Sequence, residues 1–205
     1  MDYYPIAVDL GGKKCLIVGG GEVALRKARS LIDAGARVTV IAPQVDPRLA
    51  AMEGVEVIER EYRQGDAAGC ALVFAATDDR PVNSLVAEDA NRDGALVNVV
   101  DDSDLCSFIA PAVVRRGDLL IAVTTSGKSP ALSHRIRMEI EERYGPEYAA
   151  FVDLLGGLRD VVKAAHESRE ERELAFNRLL DCGILELIRE GRILEAREKA
   201  LECIS

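Results

Sequence analysis

Over the first hundred residues the spacing of apolar positions switches repeatedly between a continuous run and a helical period. Cys15-Leu16-Ile17-Val18 is an unbroken apolar run that stops at Gly19-Gly20-Gly21, the pattern of a strand buried on both faces of a parallel sheet. From Glu22 to Ala34 the period lengthens. Val23, Ala24, Ala28, Leu31 and Ile32 recur at helical spacing, and Gly35 stands where a C-cap belongs. A second strand is predicted from Val38 to Ala42, stopped by Pro43, and two more over 55–58 and 71–76. A helix follows between Asp78 and Gly94 with Pro81 in its first turn, then a strand from Ala95 to Val100. Strands alternating with helices imply right-handed crossovers and a parallel α/β sheet.

Beyond about Pro111 the grammar changes. Leu119 to Thr124 reads as a strand, and Ser129-Pro130 as a helix start, an N-cap with proline at the first helical position. That helix runs to about Tyr144, where Gly145-Pro146 ends it. From Glu147 onward the pattern is helical and charge-rich, with a break at Cys182-Gly183. Glu167, Arg169, Glu170, Glu171, Arg172 and Glu173 read as a solvated face over an apolar stripe of Leu174, Leu179, Leu180, Ile184, Leu185 and Ile188. Three parts are therefore expected: residues 1–112, 113–146 and 147–205.

Composition narrows the function. The net charge of −9 argues against nucleic acid as a partner. No stretch approaches the about 20 uninterrupted apolar residues of a membrane span. The start, Met1-Asp2-Tyr3-Tyr4-Pro5, lacks the basic and apolar regions of a secretory signal, so the cytoplasm is expected. The five cysteines are dispersed without C-x-x-C spacing, which indicates neither a disulfide framework nor a zinc site. With two histidines in the chain, a His-rich metal cage is not expected.

Gly19-x-Gly21-x-x-Ala24 fits the dinucleotide fingerprint of a Rossmann-type sheet, with a buried strand before it and an amphipathic helix after. A glycine-rich βαβ turn without a ligand is the plainer reading, which the flanking elements disfavour. Gly19 permits the tight turn, Gly21 lets backbone approach a pyrophosphate, and Ala24 allows close helix–strand packing. The acidic residue expected after the second strand is absent; Ala42-Pro43-Gln44 stands there, and no arginine follows immediately to hold a 2′-phosphate. NAD is favoured over NADP. Thr77 and Asp78 fall at a strand's carboxyl end, where such sheets place ligands; they line the crevice or merely begin the next helix, which Asp79 caps.

Asp101 ends the next strand on the same edge. A carboxylate there can take a proton from a substrate carbon, or accept pyrrole-type N–H groups, while hydride leaves to a nicotinamide. An Asp-rich turn is the plainer reading from spacing alone. Arg115, Arg116, Lys128, Arg135 and Arg137 stand against Asp118 and Glu139 between residues 111 and 140, a window of five minus two, or +3, in an acidic chain. Lys128 beside the Ser129 helix start suits a carboxylate or phosphate; a solvated helix face is the alternative.

Together these pieces resemble the dehydrogenase/ferrochelatase module of siroheme synthase, the precorrin-2 dehydrogenase family. The matching residues are Tyr4-Pro5-Ile6, Cys15 through Ala24 with Arg26-Lys27-Ala28, Ala75-Ala76-Thr77-Asp78-Asp79, Asn98-Val99-Val100-Asp101, Ser107 through Ala112, and Ser126 through Leu132. The resemblance is dense to about residue 145 and thin over the tail. It implies a Rossmann domain, a small α/β dimerisation unit at 113–146 and a C-terminal helical domain. It implies NAD-dependent oxidation of precorrin-2 to sirohydrochlorin by a homodimer, with ferrous iron insertion in some members. Glu22, Val23, Pro43 and Gln44 then fall at NAD contacts and Asp101 on the key catalytic carboxylate. Precorrin-2 is a polycarboxylate, which gives Arg115, Arg116, Lys128, Ser129 and Arg135 a ligand. No metal ligand is assigned. Two other readings stay open, an NAD-sensing regulatory module and a tetrapyrrole chelatase or carrier without redox chemistry.

Overall fold

Short apolar runs in the first half become five strands of one parallel sheet: β1 (Lys14–Val18), β2 (Arg37–Ile41), β3 (Val55–Ile58), β4 (Leu72–Ala75) and β5 (Leu96–Val99). They are ordered β3-β2-β1-β4-β5, as the doubly wound reading requires. The computed structural model describes residues 3–204; Met1, Asp2 and Ser205, and the expectations that touch them, lie outside the described residues. The chain divides at Ala110/Pro111 into two units, each taken by itself below.

In the first unit the continuous apolar runs are explained by two cores. Cys15, Ile17, Val38, Val40, Leu72 and Phe74 meet Ala24, Leu25, Ala28 and Leu31 of helix α1 (Glu22–Asp33). Leu16, Val18, Ile41, Val73, Ala75, Val97 and Val99 point the other way, onto Val86, Ala87 and Ala90 of α3 (Arg80–Arg92). Neighbouring residues in a strand face opposite sides, so a sheet with cover on both sides has no polar alternation to show. A short α2 (Pro47–Ala50), capped by Asp46, follows β2.

The connection from β3 to β4 is held by a buried charge instead of a helix. Asp89, on the inner side of α3 and 1% exposed, accepts hydrogen bonds from Tyr62 Oη (2.8 Å), Gly65 N (2.7 Å) and Arg92 Nη1 (2.8 Å). Burial alone would raise its pKa; the three donors outweigh it and hold the carboxyl below its usual range.

In the second unit β6 (Ala112–Arg116) and β7 (Leu119–Val123) form an antiparallel hairpin. The sequence predicts only β7. In β6 the sole buried residue is Val114, and the terminal Arg115-Arg116 hides the strand pattern. Helix α4 (Pro130–Arg143) starts as expected at Ser129, whose hydroxyl accepts from Leu132 N at 3.3 Å.

The tail is five helices: α5 (Glu147–Gly157), α6 (Arg159–Ala165), α7 (Arg169–Asp181), α8 (Ile184–Arg189) and α9 (Ile193–Ile204). Gly183 breaks it in a left-handed conformation at φ 78°. The expected apolar stripe is corrected. Leu179, Ile184 and Ile188 are buried, whereas Leu174 and Leu180 are 63% and 53% exposed. Within α7, Leu174 and Leu180 lie about 140° and about 100° round the helix from Leu179 and so face away from the core, which Ala175, Ala196 and Ala200 help fill.

Replacing Asp89 by Ala leaves the Tyr62, Gly65 and Arg92 donors without their acceptor. A loss of about 2–3 kcal/mol in denaturant unfolding is expected near neutral pH. The depressed native pKa makes this contribution full above the unfolded carboxylate value of about 4 and lost as pH falls through the lower native value. The gap between wild type and Asp89→Ala therefore narrows on acidification below about pH 4; a gap that widened instead would remove the charge from this account.

Candidate dinucleotide site and its carboxylates

The sheet order reverses between β1 and β4, and the glycine loop fills that point. Gly19 N donates to Ile41 O at 3.0 Å and Ala76 N donates to Val18 O at 2.7 Å, so the loop is tied to the strand on each side. Gly19 has φ 125°, in the region that favours glycine, and a Cβ on it would lie 2.3 Å from Ala76 O. A Cβ on Gly20 would lie 2.0 Å from Gln44 O. Both glycines are thus demanded by backbone packed on backbone. Gly20, absent from the fingerprint, is as constrained as Gly19.

Gly21 differs. Its φ is −90° and a Cβ there would meet nothing within 4 Å. Nothing in the fold requires glycine, but the position caps α1, where the first helical bond is Leu25 N to Gly21 O. The amides of Glu22, Val23 and Ala24 precede that bond and are free to receive an anion. The residues fit a bound pyrophosphate: a cleared approach over Gly21 and unsatisfied donors behind it.

A crevice of about 640 Å³ opens at the carboxyl end of the sheet. Val23, Thr77, Asp78 and Asp101 line it together, with Arg80, Asn83 and Asp102. Pro43 and Gln44 are exposed on the β2 side of the glycine loop. Thr77 is fixed by Asn83, the residue sequence reasoning missed. Thr77 Oγ1 donates to Asn83 Oδ1 at 2.8 Å, and Asn83 Nδ2 returns a bond to Thr77 O at 2.9 Å. Asn83 is buried one turn into α3, which nothing in the sequence spacing marks. Asp79 caps α3 through Val82 N at 3.2 Å.

Asp101 is exposed and sits at φ 61°, a left-handed conformation uncommon outside glycine but tolerated by Asp. Such geometry persists where the surroundings over-determine it. Here the segment after it is stitched to the outer edge of β5. Cys106 Sγ accepts from Val99 N at 3.1 Å and donates to Asp102 O at 3.2 Å, while Ser107 Oγ accepts from Val97 N at 2.8 Å. Burial, with Asp102 nearby, pushes the Cys106 thiol up and keeps it a protonated donor. Asp102 pairs with Arg80 at 3.4 Å, which separates the two carboxylates by role: one paired, one open to the crevice.

The corner after β2 carries a cation that the sequence reading passed over. Arg48 binds both Asp46 and Glu22. The Arg48 guanidinium holds Asp46 well below the carboxylate range, at about 2. One cation between two carboxylates leaves this corner net negative, an environment that disfavours a 2′-phosphate.

In the second unit the basic window separates into free and committed charges. Lys128 and Arg115 are exposed and, among the described residues, carry no side-chain hydrogen bond or ion pair. Arg135 pairs with Glu139 one turn on, at 3.3 Å. Arg116 is instead committed to structure. It donates to Tyr144 O (2.9 Å) and Glu141 O (3.3 Å) at the end of α4, which leaves no free fork for a ligand. Ser129 uses its hydroxyl as the helix cap and its backbone N to reach Thr125 Oγ1 at 2.9 Å.

Residues 6–112, just over half of the sequence, match the family described as putative NAD(P)-binding. The chain belongs to that family. Residues 116–143 also match the sirohaem biosynthesis protein central family. The chain is 43% identical to a siroheme synthase of Pseudomonas paraeruginosa over 205 residues, 98% of this chain and 44% of that protein. It is 42% identical to siroheme synthase 1 of Aeromonas salmonicida over 203 residues, 98% of this chain and 42% of that one. It therefore spans less than half the length of these relatives. Among solved structures, SirC, a precorrin-2 dehydrogenase, superposes with a TM-score of 0.76 at 27% identity, covering 96% of this chain and all of that one. The family resemblance read from the six motifs is borne out.

Gly20 and Gly21 give a paired test. Gly21→Ala is expected to melt with wild type yet bind NAD about tenfold or more weakly, since the added methyl occupies the approach to the loop. Gly20→Ala, whose methyl overlaps the Gln44 carbonyl, is expected to lose about 1–3 kcal/mol of stability as well. Calorimetric NAD titration alongside thermal melts separates the two, and equal behaviour of the variants would refute the assignment.

Proposed function

We propose that this protein is an NAD-dependent precorrin-2 dehydrogenase that forms sirohydrochlorin in siroheme biosynthesis. The observation that carries the reading is a free carboxylate, Asp101, in left-handed backbone on the crevice that Val23 and Thr77 also line. The likeness to SirC, described as a precorrin-2 dehydrogenase, supports the substrate. Gly19, Gly21, Glu22 and Val23 would hold the pyrophosphate, Pro43 and Gln44 the adenosine side, and Thr77 and Asp78 the nicotinamide side. The negative corner at Asp46–Arg48–Glu22 favours NAD over NADP.

Bound NAD supplies the hydride acceptor. The substrate gives up one hydride and one proton, and the Asp101 carboxylate receives the proton. Its place in the crevice lets it act beside the nicotinamide, and Arg80 leaves it free by engaging Asp102. For the substrate's carboxylates we assign Lys128 and Arg115 first, with Arg135 and the Ser129 loop beside them. Arg116 acts by holding the end of α4. The reading includes a homodimer working in the cytoplasm. Among the described residues no helix is long and apolar enough to cross a membrane.

Anaerobic incubation with precorrin-2 and NAD is expected to yield NADH and sirohydrochlorin in equal amounts. Asp101→Asn should slow turnover by about 10²–10⁴-fold while NAD affinity is unchanged. Nucleotide binding with no tetrapyrrole oxidation by wild type would transfer the protein to a sensing role, and full activity in Asp101→Asn would remove that residue. Ferrous iron added to the same product shows whether chelation accompanies oxidation.

A further inference from the structure

One half-buried charge in the first unit has no task in the chemistry above. Lys27 lies on α1, one turn after Val23, and is half-buried with its Nζ 4.8 Å from the centroid of the Phe74 ring. Burial, with Arg26 adding repulsion, holds its pKa below the usual lysine range. Among the described residues no carboxylate pairs with it and no hydrogen bond uses its donors, in a chain where 35 acids face 26 bases. Withdrawing an ammonium from water without an anion is unfavourable, and an aromatic face compensates only in part. A half-desolvated, unpaired cation in so acidic a chain is a site waiting for an external anion.

Its surroundings say where that anion comes from. Phe74 stacks edge-on against Phe108 at 5.6 Å between centroids. In register with Phe74 stands Asn98, whose Nδ2 donates to Phe108 O at 3.0 Å. Both strands run from this spot into the crevice, β4 to Ala76 and Thr77 and β5 to Asp101. The two or three residues between correspond to about 7–10 Å of strand. Lys27 therefore lies one flank below the crevice that holds the proton acceptor, beside an aromatic wall that keeps water away. A pair formed there is stronger than one in open solvent.

We propose that Lys27 is a substrate-binding residue whose ammonium receives a peripheral carboxylate of the polyanionic macrocycle oxidised at Asp101. This rests on the dehydrogenase reading, and the experiment separates the two. Lys27→Met keeps the aliphatic stem over Phe74 and removes the charge; Lys27→Arg keeps the charge; Lys27→Gln stands in should the Met variant fail to fold. Each is compared with wild type by thermal melting, by NAD titration, by steady-state kinetics with precorrin-2, and by absorbance titration with uroporphyrin, a stable polycarboxylate porphyrin, without NAD.

Removing a charge-assisted bond should raise KM for precorrin-2 and Kd for uroporphyrin by about tenfold or more, with kcat and NAD affinity near wild type. Lys27→Arg should restore most of both, and the wild-type advantage should shrink with added salt. A purely structural lysine would move the melting temperature and leave those constants alone. Unchanged KM and Kd in Lys27→Met, or no tetrapyrrole bound by wild type in either assay, overturns the proposal. Lys27-dependent uroporphyrin binding without precorrin-2 oxidation would uphold the carboxylate site while refuting the dehydrogenase reading.

Discussion

The structure of the first unit depends on one steric constraint: at the switch in strand order, backbone packs directly on backbone. Gly19 lies against the Ala76 carbonyl and Gly20 against the Gln44 carbonyl, each closer than any Cβ permits. These contacts pull the ends of β2 and β4 toward β1 and set the spacing of everything carried beyond them. The crevice lies where β1 turns into α1, and α1 presents open amides there because its first helical bond is Leu25 N to Gly21 O. Thr77 and Asp101 reach one cavity because β4 is registered on β1 and β5 on β4.

A second constraint is the distribution of charge. The protein carries −9, and among the described residues nine of its 26 cations form ion pairs, several of them structural. Arg48 joins α2 to the start of α1, Arg116 closes α4, and Arg92 helps fix Asp89. Among the cations without an ion pair, Lys27 stands out because it is half-buried against the Phe74 ring, and Lys128 and Arg115 because they are exposed in the one basic window. An exposed ion pair contributes about 0–1 kcal/mol, so the pairs do little for stability. They decide instead which positive charges a polyanion can find.

Legibility in the sequence followed the kind of physics involved. The five parallel strands and the helix after the glycine loop were readable because burial on both faces writes largely apolar runs at β1 and β4 and short β-branched runs at β2, β3 and β5. Gly19 and Asp101 were readable because motif spacing places them on the ligand edge. Strand β6 was hidden by its terminal arginines, and the tail's burial pattern was hidden because Leu174 and Leu180 face away from the core within α7. Side-chain commitments were invisible as well. Nothing in the spacing of Arg116 says that the Tyr144 carbonyl will accept its hydrogen bond, or that Asn83 will turn back to Thr77. Such bonds join residues whose proximity exists only after folding.

Asp101 shows how these levels combine. Its left-handed backbone is costly for most residues, about 1–2 kcal/mol, and less so for Asp. The conformation is kept because the following segment is anchored three ways to β5, by the Cys106 thiol, the Ser107 hydroxyl and the Asn98 amide. None of these anchors touches the crevice, and each uses a group that a simple turn would not need. The anchoring also brings Phe108 against Phe74 and so builds the wall beside Lys27. One stitched segment therefore orients the carboxylate at the crevice and shields the lysine on its flank. The exposed edge of β5, which would otherwise need cover of its own, is how the fold couples the two.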